Sequence, residues 1–290
     1  MNQNTEESYL DFRRRNLDFH KDPDSVAIFS GGLDSTTLAY DMLAKGMTPH
    51  LISFNYGQRH SKELTYAMRT AQRLCLRHDI VDLTGLTHLI SNSALTQGGL
   101  DDSDENGIKP VIEVPEGHYA EDNMKKTVVP NRNMIMLSIA AGIAVNNNYK
   151  HLATGVHAGD HFVYPDCRPQ FIQIMDAAIV AGNEGFGPFE DKTVMDAAIR
   201  SFIYAPFLNA SKADIAFRAM RLDVPLHETW SCYKGGEKHC GKCGTCVERM
   251  EAIVEAQSRL TNEDITRGVG LDETEYEDYD FWRQVVSDRS

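Results

Sequence analysis

The chain has 290 residues, 42% of them apolar and 24% charged, which is ordinary for a globular protein of one large or two modest domains. Its net charge of -13 and pI near 5.3 argue against a protein that grips tRNA or duplex DNA, which needs a basic face. No run approaches the roughly 18 consecutive apolar residues of a membrane span, and Met1 to Arg15 has no apolar signal core, so a cytoplasmic protein with no membrane or nucleic-acid partner is expected.

Residues 1–21 read as a polar N-terminal extension, a solvated helix or mobile arm carrying Arg13-Arg14-Arg15. The first strand, Val26-Ala27-Ile28-Phe29, runs into Ser30-Gly31-Gly32-Leu33-Asp34-Ser35-Thr36-Thr37 and then into a helix that Gly46 stops. A strand that feeds a helix through paired glycines gathers unsatisfied N–H groups and the positive helix end at one point, where phosphate oxygens bind. Ser30, Ser35, Thr36 and Thr37 add hydroxyls. There is no G-x-x-x-x-G-K-[ST], and no G-x-G-x-x-G follows the strand. Ser-Gly-Gly-Leu-Asp-Ser instead resembles the loop of the ATP pyrophosphatase (PP-loop) superfamily, which implies cleavage of ATP between its α and β phosphates.

A second strand, Leu51 to Phe54, ends at Asn55-Tyr56-Gly57-Gln58. A helix over about Ser61 to Leu76 follows, with Ser61 as cap and Cys75 on its apolar stripe, read as core packing. A third strand spans about His78 to Leu83. The β-α-β-α-β rhythm predicts a Rossmann-like parallel sheet with helices on both faces and ligands beyond its C-terminal strand ends. Thr96 to Thr127 breaks the rhythm and reads as a flap over the site. Arg132 opens an apolar helix, Asn133 to about Val145, where a cation opposes the helix dipole; it meets either an anionic ligand or an acidic side chain. A fourth strand, about His151 to Thr154, leads to Gly155–Asp160 and the polar turn Tyr164–Pro169. Within that turn Cys167 is either reactive or a filled core position. A helix over about Gln170 to Val180, a last strand near Val194 to Ile203, and a helix from the cap Ser211 to about Leu222 complete a domain over 22–223.

Residues 224–290 form a small C-terminal region with a final helix over about Thr245 to Leu260. Its Cys232, Cys240, Cys243 and Cys246 supply four thiolates with Cys-x-x-Cys steps, which suit a closed and therefore structural tetrahedral zinc site. An iron-sulfur cluster uses the same ligand set. His239 is either a competing ligand or polar surface.

Seven segments in order, Phe29–Ser35, Phe54–His60, Val129–Asn133, Gly155–Asp160, Tyr164–Arg168, Thr229–Tyr233 and Cys240–Arg249, closely resemble the QueC family of 7-cyano-7-deazaguanine synthases. The likeness runs from about Val26 to Tyr276, through the tail Gly270-Leu-Asp-x-Thr-x-Tyr276. It implies an adenine nucleotide alpha hydrolase-like fold, a homodimer, structural Zn²⁺, and an ATP- and Mg²⁺-dependent ligase. The substrates it implies are 7-carboxy-7-deazaguanine and ammonia, joined through adenylated acid and amide. ATP is then expected on Phe29, Ser30, Gly31, Gly32, Leu33, Asp34, Ser35, Thr36, Thr37, Leu38 and Ala39, with Asp34, Ser35, Lys62 and Arg132 catalytic. Tyr56, Gln58, Asp160, Tyr164, Asp166 and Arg168 are expected to hold the deazaguanine, the carboxylate of Asp166 or Asp160 taking its donors. Two departures stand out: Asn131 where the family usually has Gly, and Phe162-Val163 where it usually has Ser-Gly. Three other readings compete. One is transfer of the activated acid to another amine, such as one on a protein. The second is a tRNA-modifying PP-loop enzyme, and the third a zinc-ribbon module on an inactive nucleotide fold.

Overall fold

A computed structural model describes residues 22–58, 62–89, 93, 95, 114–117, 122–190 and 201–287. The expectations for the N-terminal extension, for Ser61, and for most of the flap and of the Val194 strand lie outside those residues. Five strands, β1 (Ser25–Ile28), β2 (Pro49–Asn55), β3 (His78–Asp82), β4 (His151–Ala153) and β5 (Ile203–Tyr204), form one sheet in the order β3-β2-β1-β4-β5. Every pairing is parallel. The last strand therefore lies at Ile203–Tyr204, at the very end of the segment that sequence favoured for it.

Alternation along β1 assigns the two faces. Ala27 packs with α1 (Leu33–Ala44), α2 (Lys62–Leu74), α5 (Lys212–Arg221) and α6 (Gly244–Ser258) through Leu38, Met42, Ala71, Ala216 and Ile253. Val26 packs on the opposite side with α3 (Arg132–Asn146) and α4 (Pro169–Gly182) through Leu137, Ala140, Ile172 and Ile179. The parallel sheet covered by helices on both faces is the architecture the β-α rhythm requires. Two short helices, α7 (Asn262–Thr266) and α8 (Phe281–Ser287), follow in the tail. Among the described residues one stretch, Met124–Asn146, is long and apolar enough to cross a membrane by composition. Its main part, α3, lays Leu137, Ala140 and Ala144 against the sheet.

Two local corrections follow from helix ends. The second helix stops at Leu74, and Cys75 takes a left-handed φ of 53°, which turns it out to solvent and off the apolar stripe. Asn131, just before α3, also sits at a left-handed φ of 59°, the conformation glycine would supply and Asn tolerates. The chain order reverses between β1 and β4, so the loops after those two strands diverge and open a crevice at their C-terminal ends.

Candidate active site

A cavity of about 250 Å³ fills that crevice. Its floor is the turn after β1. Ser30 N donates to Ser35 Oγ at 3.2 Å, Gly32 N donates to Ser30 Oγ at 3.3 Å, and the two hydroxyls are 3.1 Å apart. Gly32, the residue before α1, has no side chain to cap the N–H groups of the helix's first turn, which is where anions bind. Gly31 packs its backbone against α2 at a φ of 77° and accepts a hydrogen bond from Trp230 N, 2.9 Å away. Phe29, Ser30, Gly32, Leu33, Asp34 and Ser35 line the cavity. Of the other residues expected at the nucleotide, Leu38 and Ala39 are buried in the core, and Thr37 Oγ1 turns back to donate to Leu33 O.

Sequence reading missed the group that faces this floor. Lys212, the first residue of α5, places Nζ 2.6 Å from Asp34 Oδ2 and 3.6 Å from Glu248 Oε2. Burial works against the lysine's charge, but Asp34, Glu248 and Asp160 outweigh it and raise its pKa. Burial likewise opposes ionisation of Asp34, and Lys212 with His157 reverses that, so its carboxyl titrates below the usual range. His157 Nδ1 accepts from Gly159 N at 3.1 Å, so in the neutral ring the proton sits on Nε2, facing Asp160 at 3.5 Å and Asp34 at 3.8 Å. Asp34 Oδ1 is buried with no hydrogen-bond partner among the described residues. The one sequence signal for Lys212 was its place next to a helix cap, which reads as solvated surface.

Part of the cavity wall is aromatic. Arg132 lies over the rings of Tyr56 and Tyr164, 6.0 and 5.7 Å from their centres. Tyr164 Oη is 2.6 Å from Thr127 Oγ1, which donates to Met124 O, so the phenol donates to Thr127. Phe54, Gln58, Tyr233, Asp160 and Glu63 also line this space. Gln58 folds over its own turn, accepting from Tyr56 N at 2.9 Å. Burial pushes the Glu63 carboxyl up to about 7 against the pull of Arg132.

Of the residues expected to be catalytic or substrate-binding, three do not line the cavity. Lys62 Nζ donates to the carbonyls of Gly236 and Glu237 and lies over Trp230. Arg168 is exposed and donates from Nε to His161 O at 2.9 Å. Asp166 accepts from Asn133 N at 3.1 Å, holding the start of α3. Cys167 lines the cavity, is buried and accepts from Asn133 Nδ2, and burial first, then Asp160 and Asp166, push its thiol up, which disfavours the thiolate. Leu95 lines the cavity, and Glu116 pairs with Cys243, so the described parts of the 96–127 stretch and its edge reach the site and the cysteine knuckle.

The four cysteine sulfurs lie within 4.8 Å of one another, all buried, with Cys240 Sγ 3.9 Å from Cys246 Sγ. Tetrahedral zinc with bonds of about 2.3 Å spaces its sulfurs by roughly 3.8 Å. The N–H groups of Lys242 and Cys243 point at Cys240 Sγ, at 3.4 and 3.3 Å, further polarising a thiolate. The set could hold zinc. His239 is neither ligand nor surface: it is buried against Trp230, ring centres 4.3 Å apart, and Nε2 accepts from Ser231 N. Burial, helped by Arg249, pushes its pKa down to about 3.

Residues 24–257 match the family model described as queuosine biosynthesis protein QueC. The chain belongs to that family. Among curated relatives, a 7-cyano-7-deazaguanine synthase from Paracoccus denitrificans (strain Pd 1222) is 45% identical over 91% of this chain and 98% of its own. One from Rhizobium meliloti (strain 1021) is 47% identical over 89% and 94%. Among solved structures, the NMN synthetase from Francisella tularensis is 12% identical over 96% of this chain and 93% of that one, at a TM-score of 0.42. Within the QueC family this chain's departures fall away from the cavity. Phe162 is 57% exposed, Val163 is buried under α3, and neither lines the site. The tail of the QueC pattern is tied in by the fully buried Arg249, which donates to Leu226 O, Thr229 Oγ1, Ser231 Oγ, Thr274 Oγ1 and Tyr276 Oη.

Proposed function

We propose that this protein is an ATP-dependent ligase that converts 7-carboxy-7-deazaguanine and ammonia into 7-cyano-7-deazaguanine. The observation that carries the reading is a single cavity, in a QueC-family chain, joining a hydroxyl-lined strand-to-helix turn to a wall of Phe54, Tyr56, Tyr164 and Arg132. The turn suits pyrophosphate and the wall suits a flat heterocycle. A carboxylate is a poor electrophile because its oxygen leaves badly. Adenylation makes that oxygen a good leaving group, ammonia displaces AMP to give the amide, and adenylation of the amide oxygen permits loss of the elements of water to the nitrile. The loop at Ser30 to Ser35 would hold the departing pyrophosphate both times, and Arg132 would offset anionic charge at the aromatic wall. Asp160, in the cavity, is better placed than Asp166 to take the donors of the heterocycle.

Mg²⁺ fits at Asp34, whose orphaned buried Oδ1 is an oxygen that a nucleotide-borne cation would take, and it supplies charge neutralisation on the phosphates. Zinc fits the four cysteines and, with its shell closed, supplies rigidity to the segment that carries Trp230 to Tyr233 past the cavity. Residues 22–223 are read as the nucleotide-binding domain and 224–290 as the zinc region packed on it, in a cytoplasmic homodimer. The test is release of pyrophosphate from ATP that depends on the deazaguanine acid, with the nitrile identified by mass spectrometry when ammonia is present.

A further inference from the structure

We propose that Lys212 is a catalytic residue of the adenylation step, the cation that takes up the charge developing on the phosphates as pyrophosphate departs. The inference deepens the function proposed above, and rests on that reading only for the identity of the carboxylate that attacks. Its basis is placement. Among the described residues, Lys212 and Arg132 are the lysine and arginine of the cavity wall, and Arg132 lies over the rings of Tyr56 and Tyr164. Lys212 alone of the two is at the phosphate-binding turn, its Nζ 2.6 Å from Asp34 Oδ2. Lys62, expected to be catalytic, donates to the carbonyls of Gly236 and Glu237, and Arg168, expected at the substrate, donates from Nε to His161 O; neither lines the cavity.

The lysine is also held in place. Ser211 and Asp214 close a reciprocal cap on α5, with Ser211 N donating to Asp214 Oδ2 at 2.8 Å and Asp214 N donating to Ser211 Oγ at 3.1 Å. That cap fixes the turn from which Lys212 projects, and its side chain is only 14% exposed. An ammonium has three donors. Asp34 takes one, Glu248 at 3.6 Å is beyond hydrogen-bond reach, and the Nε2 of His157 at 3.4 Å carries its own proton in the neutral ring. Two donors are thus left for phosphate oxygens in a partly water-excluded wall, where a fixed charge acts most strongly.

The step balances without an added proton. A carboxylate oxygen of the substrate attacks the α phosphorus and forms the new O–P bond. The bond from the α phosphorus to the oxygen bridging to the β phosphorus breaks, and its electron pair leaves with pyrophosphate. Charge grows on that bridging oxygen and on pyrophosphate, and the Lys212 ammonium, held by Asp34, lies beside the turn that would cradle them.

Lys212→Met removes the ammonium and keeps most of the stem. Inorganic pyrophosphate binding, read by calorimetry, needs no acid substrate and so tests the lysine apart from the proposed reaction. The expected result is affinity weakened at least about tenfold, and kcat for acid-dependent pyrophosphate release lowered about 100-fold or more, with KM for the acid within about threefold of wild type. Lys212→Arg, which keeps the pairing with Asp34, is expected to recover most of the pyrophosphate affinity. Pyrophosphate binding by Lys212→Met within twofold of wild type, or an unchanged kcat, overturns the proposal. If Lys212→Met does not fold, the wild-type chain answers instead: pyrophosphate should slow acylation of Lys212 at least about fivefold by peptide mass spectrometry, and an unchanged rate overturns it. Wild-type protein that binds pyrophosphate through Lys212 yet releases none in the presence of the deazaguanine acid would remove the proposed substrate and leave the lysine's role intact.

Discussion

Gly31→Ala and Gly46→Ala form a matched pair, because the two glycines share nearly one backbone conformation, φ 77° and 78°, in different surroundings. A left-handed φ costs an L-residue about 1–2 kcal/mol, and at both sites that strain outweighs the gain from a stiffer unfolded chain. At Gly46 an added Cβ meets nothing within 4 Å, so the change costs about 1 kcal/mol. At Gly31 it would lie 2.6 Å from Ala67 N and 2.8 Å from Glu63 O. Both are backbone atoms of α2 and cannot swing aside, so relief must come from moving the turn off the helix. Overpacking of that kind adds about 1–3 kcal/mol, for a total of about 2–4 kcal/mol. Urea denaturation at fixed pH should place the Gly31→Ala midpoint below that of Gly46→Ala by a margin equivalent to at least about 1 kcal/mol at equal slope. Because the displaced turn carries Ser30 and faces the cavity, Gly31→Ala should also lose pyrophosphate release at a temperature where both variants are folded. Equal stability of the two, within about 0.5 kcal/mol, would refute the argument that α2 braces the loop.

Asn131→Val puts a β-branched residue at φ 59° and should cost about 1–2 kcal/mol in denaturation, whereas Asn131→Gly should be neutral or stabilising. Glu63 loses its proton near 4.5 in the unfolded chain and near 7 in the folded one, so its charge lowers stability as pH rises through that window and by a constant amount above it. Glu63→Gln should therefore gain up to about 3 kcal/mol at pH 8 and nothing near pH 4, read from thermal melts across that range. Cys243→Ser should lose the zinc that elemental analysis is expected to find in the wild-type chain, and should melt at lower temperature; equal metal content would remove Cys243 from the ligand set.

The parts legible in sequence were those set by local chemistry. A strand, a Gly-Gly turn and a helix start are adjacent in the chain, so the hydroxyl-lined turn at Ser30 to Ser35 could be read. The cysteine spacing needed no tertiary knowledge either. Lys212 was not legible because its partner Asp34 is 178 residues away, and locally Ser-Lys-Ala-Asp is only a capped helix. Lys62 and Arg168 donate to backbone carbonyls of segments that spacing along the chain does not bring near them. Asp166 likewise serves the N-terminus of α3, a use that depends on the 33-residue separation closing in space. Cys75 fell one residue beyond the helix end, where a stripe of apolar spacing no longer predicts direction. The neutral, stacked His239 reflects burial by Trp230 and Tyr276, which nothing in its neighbours along the chain announces.

In the proposed reaction, one cavity adenylates a deazaguanine acid and carries it to the nitrile. Its most direct test follows pyrophosphate and product together from purified protein with ATP, Mg²⁺, 7-carboxy-7-deazaguanine and ammonium. Pyrophosphate release is expected to require the acid, with two pyrophosphates for each nitrile formed when ammonia is present. Absence of acid-dependent release, or formation of ADP and phosphate in place of AMP and pyrophosphate, would contradict it.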